Sequence, residues 1–326
     1  MNNKFMKSIK SIISWIISLS VFSIIFFVSI NLFLSNLVPL KDAKIPPETI
    51  EFFKKIPDYI GLKFRFNPNP DPADWGKYYD GDLLYVEDTC FIVYYVAKDS
   101  AVERPKADLT LELAHDAIPH SFDVMKSYPY PYLQKNRKLP IYIANSNDAY
   151  QSIIEEIYGG DGGSSVGIYI FEYSSMGSMA LGIVLSPEAW TAFDDDRTES
   201  YRKTLWHEMN HYIYYANFDF ATVAVPPLWF TEGLAEYFAG NEIRSQSVQK
   251  SKLNDYSLED DFLNSDAYWV GYTAFLYLEE NKGKSNVSNL VTASYSQNLN
   301  SALRSSNNIS RKDWDSGWKG YVRGKW

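Results

Sequence analysis

Two of the four histidines in the chain lie four residues apart, in His207-Glu208-Met209-Asn210-His211. On a helix this spacing stacks both imidazoles on one face, a turn apart, where they can share a metal ion. Glu208 then stands beside His207 around the helix, within reach of a water at that metal. Two surface or core histidines that happen to line up would give the same pattern, so further donors are needed. A catalytic zinc takes three protein ligands and keeps one position open. Downstream, Pro226-Pro227-Leu228-Trp229-Phe230-Thr231-Glu232-Gly233-Leu234-Ala235-Glu236-Tyr237-Phe238-Ala239-Gly240 reads as a second helix, opened by proline and closed by glycine. Glu232 and Glu236 share one face of it, while Leu228, Phe230, Leu234, Ala235 and Phe238 pack the rest. Two carboxylates on an apolar helix are expensive to bury unless paired or bound to metal. The economical reading makes Glu232 the third ligand and Glu236 the acceptor of a hydrogen bond from a ligand imidazole. A solvated helix face is the alternative for this pair.

H-E-x-x-H followed by Trp229-Phe230-Thr231-Glu232-Gly233-Leu234-Ala235-Glu236-Tyr237-Phe238 resembles the gluzincin metallopeptidases, the peptidase MA-like superfamily that includes thermolysin. The layout extends over residues 85–326, and the specific motifs lie between 177 and 240. The resemblance implies a zinc peptidase in which His207, His211 and Glu232 bind the metal, Glu208 is the general base, and Glu236 supports a ligand imidazole. It implies that the strand Met179–Ser186 is the edge strand above the cleft, where a peptide is held as an added strand. It also implies a downstream tyrosine or histidine that steadies the oxyanion. No histidine follows His211, so a tyrosine is needed. Asp266–Glu280 reads as a helix with Asp266 as its N-cap, and on it Tyr268 is the first candidate and Tyr272 the second. Both could equally be core tyrosines. Aminopeptidases of this family carry G-x-M-E-N before the edge strand, and its glutamate binds the substrate amine. Here the matching stretch is Gly177-Ser178-Met179-Ala180-Leu181. The anchor is then absent, which favours an endopeptidase. A catalytically inactive binding module on the same fold is the rival reading. A latent enzyme, closed by the loop Gly159–Ser165, is a third.

Stepping outward, the pattern predicts an α+β fold: a small mixed sheet on the H-E-x-x-H helix, then a mainly helical C-terminal part. Leu84–Ala97 reads as a strand or hairpin, and Pro140–Ala144 as a short buried strand. Ala107–Tyr128 has helical spacing with Pro119 as a kink or break, and Asn147–Tyr158 reads as a helix. Gly167–Tyr173 and Met179–Ser186 read as two strands joined by a turn. Thr198–Tyr215 is the helix of the two histidines. Asp194-Asp195-Asp196 is a solvated helix start rather than a calcium site. His115 and His120 are read as structural, because Pro119 and their spacing keep the rings apart. Trp314, Trp318, Tyr321 and Trp326 are read as packing.

The N-terminus departs from this globular pattern. Lys4, Lys7 and Lys10 precede Ser11–Leu40, which has no charged residue. As a helix it would be about 45 Å long, more than the roughly 30 Å hydrocarbon core of a bilayer. It is too long for the apolar region of a signal peptide and lacks a good cleavage site. The expected organisation is a basic cytoplasmic tail (1–10), a single-pass transmembrane anchor (11–40), a proline-rich stalk (41–82) and a catalytic domain (83–326) outside the cytoplasm. The partners expected are the lipid bilayer and a peptide or protein substrate.

Composition limits the alternatives. The chain has 326 residues, of which 46% are hydrophobic and 22% charged, so it can build a core. Its net charge of −9 argues against nucleic-acid binding. The single cysteine, Cys90, excludes an intrachain disulfide and a multi-cysteine metal site, and is read as a small buried residue in an apolar run.

Overall fold

Alternation along the strands sorts the apolar residues between two cores. Phe91, Val93 and Tyr95 face one side of the sheet with Ile141, Ile143, Ile183 and Leu185, while Val96, Tyr142, Ile170 and Val184 face the other. The computed structural model describes residues 83–96, 100–126, 138–158, 165–174, 177–192, 196–241, 250–261 and 265–326, all within one unit, Asn69–Trp326. Residues 1–82, read above as tail, anchor and stalk, and the residues between these ranges, including most of the loop Gly159–Ser165, lie outside the described residues.

Five strands are described: β1 (Leu83–Glu87), β2 (Phe91–Val96), β3 (Leu139–Ile143), β4 (Gly167–Ser174) and β5 (Gly177–Leu185). Their order across the sheet is β1-β2-β3-β5-β4. The two outer pairs are antiparallel hairpins, and β2, β3 and β5 run parallel at the centre. Parallel neighbours need crossovers. The first is helix α1 (Ser100–Met125), and the second includes α2 (Asn147–Tyr158). Helix α2 covers one face through Tyr150, Ile153 and Ile154. The other face packs on α1 and on α3 (Arg197–Asn217) through Ala114, Ala117, Leu205, Met209 and Ile213.

The C-terminal part is helical: α4 (Leu228–Ala239), α5 (Asp266–Lys282), α6 (Lys284–Ser294), α7 (Leu299–Asn307) and α8 (Arg311–Lys325). The fold is therefore α+β, a small mixed sheet followed by helices. Among the described residues no helix is long and apolar enough to cross a membrane. The segment Ser11–Leu40 lies outside them.

Several elements match the reading of the sequence. The β1–β2 hairpin, the α2 boundaries and the two histidine- and glutamate-bearing helices are where the patterns put them. The tail is packing: Trp314 and Trp318 are fully buried, and their indole N–H groups donate to the Ala274 carbonyl (3.2 Å) and the Thr273 hydroxyl (2.9 Å).

Other expectations are corrected. Helix α1 is continuous through Pro119 and begins before Ala107. Asp266 is the first helical residue and not the N-cap, which is Ser265. Its carboxylate accepts instead from the Tyr256 hydroxyl and from the Trp269 indole N–H. Cys90 is exposed, because Asp88 turns the chain there by accepting the N–H groups of Cys90 (2.7 Å) and Phe91 (2.9 Å), so β2 starts one residue later. The strand Met179–Ser186 corresponds to β5, which is interior. It pairs in parallel with β3 on one side and with β4 on the other, so the edge falls to β4.

Candidate metal centre

Helix α3 is held at its start and at its middle. The Asp196 carboxylate caps it by accepting the N–H groups of Thr198 (2.9 Å) and Glu199 (3.3 Å). Trp206 donates its indole N–H to the Leu113 carbonyl at 2.9 Å, tying α3 to α1. The His120 ring stacks on Trp206 at 4.5 Å, and its Nε2 bonds the Phe238 carbonyl at 2.7 Å, which adds α4. His115 pairs with Asp88 near the hairpin turn. Both of these histidines are structural, as expected.

The scaffold brings His207, His211 and Glu232 together. His207 Nε2 lies 3.1 Å from Glu232 Oε2 and 3.1 Å from His211 Nε2, and His211 Nε2 lies 3.4 Å from Glu232 Oε2. Four ligands at about 2.0–2.1 Å around a tetrahedral zinc are separated from one another by roughly 3.3 Å. The three observed separations bracket that value, so the residues fit such an ion. Their donor atoms form the one group of this kind among the described residues.

Proton accounting points the same way. His207 Nδ1 lies 3.3 Å from Glu236 Oε1, on a carboxylate that is fully buried. An N–H at Nδ1 donated to Glu236 leaves a lone pair on Nε2 of the neutral ring. That lone pair faces the Glu232 oxygen and the second imidazole, a set of electron-pair donors aimed at one point, as a bound cation needs. Burial alone would lower the His207 pKa, but the Glu232 and Glu236 carboxylates outweigh it and hold the imidazole well above its ordinary value. Burial alone would raise Glu232, and the two imidazoles outweigh it, holding the carboxyl well below the usual range.

Glu208 sits beside this cluster under the edge strand. It is buried, and burial pushes its carboxyl above the usual range despite the nearby imidazoles and a hydrogen bond from the Tyr169 backbone N–H. Gly167 makes room for it: a β-carbon there would stand 3.0 Å from Glu208 Oε1 and 2.9 Å from Thr204 Cγ2. Tyr268 also reaches the site, its ring stacked on His207 at 5.9 Å and 18°. Tyr272 is buried one turn further along α5.

Two features of the site escaped the sequence reading. One is the role of β4, whose Gly167 and Tyr169 cover Glu208. The alternation of Gly167, Tyr169 and Phe171 was its only signal. The other is an aromatic wall next to His211. Tyr215 stacks on that ring at 6.1 Å, and Phe171 stacks on Tyr215 at 4.5 Å. Tyr215 follows His211 by one helical turn, so this contact was implicit in the helix period.

A comparison with curated proteins finds no match for the chain. The model of the M9 peptidase family, described as collagenase, matches residues 111–321, a span that runs from α1 through the His–His–Glu cluster into α8. That match covers more than half of the chain, and on it, together with the geometry of the cluster, this protein belongs to the M9 collagenase family of peptidases.

Proposed function

We propose that this protein is a membrane-anchored zinc endopeptidase of the gluzincin type, with its catalytic domain outside the cytoplasm. The observation that carries the reading is the convergence of His207, His211 and Glu232 at 3.1–3.4 Å, with the buried Glu208 beside them. The first two ligands and the base come from α3, the third ligand from α4. Zinc held there would act as a Lewis acid on the scissile carbonyl and bring the pKa of water toward about 7.

The chain's own residues have separable parts. Glu208 accepts the proton of the attacking water on its carboxylate and delivers it to the leaving amine nitrogen. Its raised pKa suits a group that must both take and return a proton. Glu236 holds the His207 ring through Nδ1 and so keeps Nε2 aimed into the cluster. Tyr268, whose ring lies 5.9 Å from that of His207, would donate its hydroxyl hydrogen to the carbonyl oxygen as charge develops there. The outer edge of β4 offers backbone groups to an extended peptide, which would lie across Glu208 as an added strand.

The endopeptidase reading no longer leans on Gly177–Leu181, since β5 is not the edge. It is supported instead by the family's description as collagenase, which makes gelatin the first substrate to try. The anchor reading is supported by the uncharged stretch Ser11–Leu40 behind three lysines.

The test uses the detergent-solubilised, zinc-loaded chain with gelatin and a quenched fluorescent peptide. Glu208→Gln should retain zinc and lose roughly 10²–10⁴-fold in kcat. Hydrolysis unchanged in that variant would remove Glu208 as the base. Zinc bound without hydrolysis of any peptide in the wild type would favour a binding module.

A further inference from the structure

Helices α4 and α5 meet glycine to glycine, directly behind the metal cluster. Gly233 is the neighbour of Glu232, and Gly271 lies one turn after Tyr268 on the same face of α5. A β-carbon on Gly271 would stand 1.8 Å from the Trp229 carbonyl oxygen and 2.6 Å from the Gly233 Cα. One on Gly233 would stand 2.3 Å from the Gly271 Cα. Ordinary carbon contacts need about 3.5–4.0 Å. Any side chain at either position therefore forces the two backbones apart by roughly 1–2 Å, with no flexible group to absorb the change. Neither glycine has a positive φ, so what the contact uses is the missing β-carbon. Glycine inside a helix is unfavourable, and here two of them face each other across one interface.

The interface separates the components of the centre in a defined way. His207 and His211 lie on α3. Glu232 and Glu236 lie on α4, and Glu236 reaches His207 Nδ1 at 3.3 Å. Tyr268 alone comes from α5, its ring 5.9 Å from that of His207. A shift taken up by α5 withdraws the tyrosine and leaves both histidines and both glutamates in place, whereas a shift of α4 would move Glu232 and show as loss of zinc. We infer that the Gly233–Gly271 contact is a positioning device: Gly271, acting through Tyr268, sets how close the tyrosine stands to the metal cluster. The catalytic part of this inference rests on the role proposed above for Tyr268, whereas the geometric part does not. A misplacement of about 1 Å at a reacting group can cost on the order of 10²-fold in rate.

The experiment reads position and rate separately, on the full chain in detergent. With four histidines in the chain, Cε1–H signals from ring-labelled histidine can be assigned by single substitutions. Tyr268→Leu removes the stacked ring and so defines the full shift of the His207 signal. Gly271→Ala should move that signal at least half as far in the same direction, with His115 and His120 unmoved and about one zinc per chain retained. Gly317→Ala is the control. Its β-carbon would press on the Tyr277 hydroxyl of the same helix α5, and it should leave His207 in place. In turnover, Gly271→Ala should lower kcat about 10–100-fold with little change in KM. In the Tyr268→Phe background the same substitution should cost less than about threefold, because the two act as one unit.

An unmoved His207 signal in folded Gly271→Ala would overturn the inference, and so would an equal loss of kcat in the Tyr268→Phe background. Gly233→Ala is the second variant. If neither alanine variant folds, as judged by circular dichroism, the contact is packing alone and the positioning role is lost. A chain that shows the shift but hydrolyses nothing would overturn the peptidase reading and leave the glycine coupling standing.

Discussion

At the scale of single residues, the centre is two imidazoles and a carboxylate whose donor atoms converge within 3.1–3.4 Å. His207 is pulled upward by two carboxylates and Glu232 is pulled downward by two imidazoles. Glu236 Oε1 lies 3.3 Å from His207 Nδ1; on the proposal that it orients this ring, Glu236→Ala should weaken zinc binding roughly 10–100-fold while the chain stays folded. A competition titration against a chelator measures this directly, and unchanged affinity would mean that Glu236 does not orient the ring. The convergence of these groups was legible in the chain because helix period converts sequence spacing into shared faces. His207 and His211, and Glu232 and Glu236, each needed only i, i+4. Tyr268 was also within reach of that logic, since its helix was recognised. The resemblance put Tyr268 before Tyr272, an order that spacing alone does not give, because it depends on how α5 is seated on α4.

At the scale of elements, three helices and one strand fix the centre, and their junctions make the next predictions. Half-buried His120 bridges Trp206 on α3 and the Phe238 carbonyl on α4. Burial lowers its pKa below the ordinary value near 6.5, more than the Phe238 carbonyl raises it. The folded chain therefore resists the proton that the unfolded chain accepts. Its contribution to stability is full above about pH 6.5 and is lost as the pH falls below that. Thermal unfolding between pH 7.5 and 5 should show this loss, and His120→Gln should flatten it; a slope unchanged by the substitution would contradict it. Behind α4, Trp314 is fully buried and lies 5.3 Å from Trp229 and 5.9 Å from Phe275. Trp314→Ala should cost about 3–5 kcal/mol in denaturant unfolding, and a cost below about 1 kcal/mol would show that α8 is not part of the core. Strand order was the element-level feature that could not be read from the chain. The apolar alternation of β4 and β5 is similar, so both read as half-buried strands. Only the parallel pairing of β5 with β3, a contact between distant segments, leaves β4 at the edge over Glu208.

At the scale of the whole molecule, a match over residues 111–321 and a described α+β fold place the chain among peptidases, while the proposed anchor lies upstream of everything described. If Ser11–Leu40 spans a bilayer, the full chain should sediment with membranes and resist extraction by alkaline carbonate, and a chain lacking residues 1–40 should be released. Release of the full chain by carbonate would contradict the anchor. The charge distribution was readable at this scale because it needs no fold: the only ionisable side chains before residue 41 are three lysines. The central claim is the three-ligand site, and metal content tests it most directly. Wild type and Glu232→Ala would be dialysed exhaustively and analysed for elements. About one zinc per chain in the wild type and a large loss in the folded variant is the expected result. A folded wild type that binds no metal, or a variant that keeps it in full, would contradict the site.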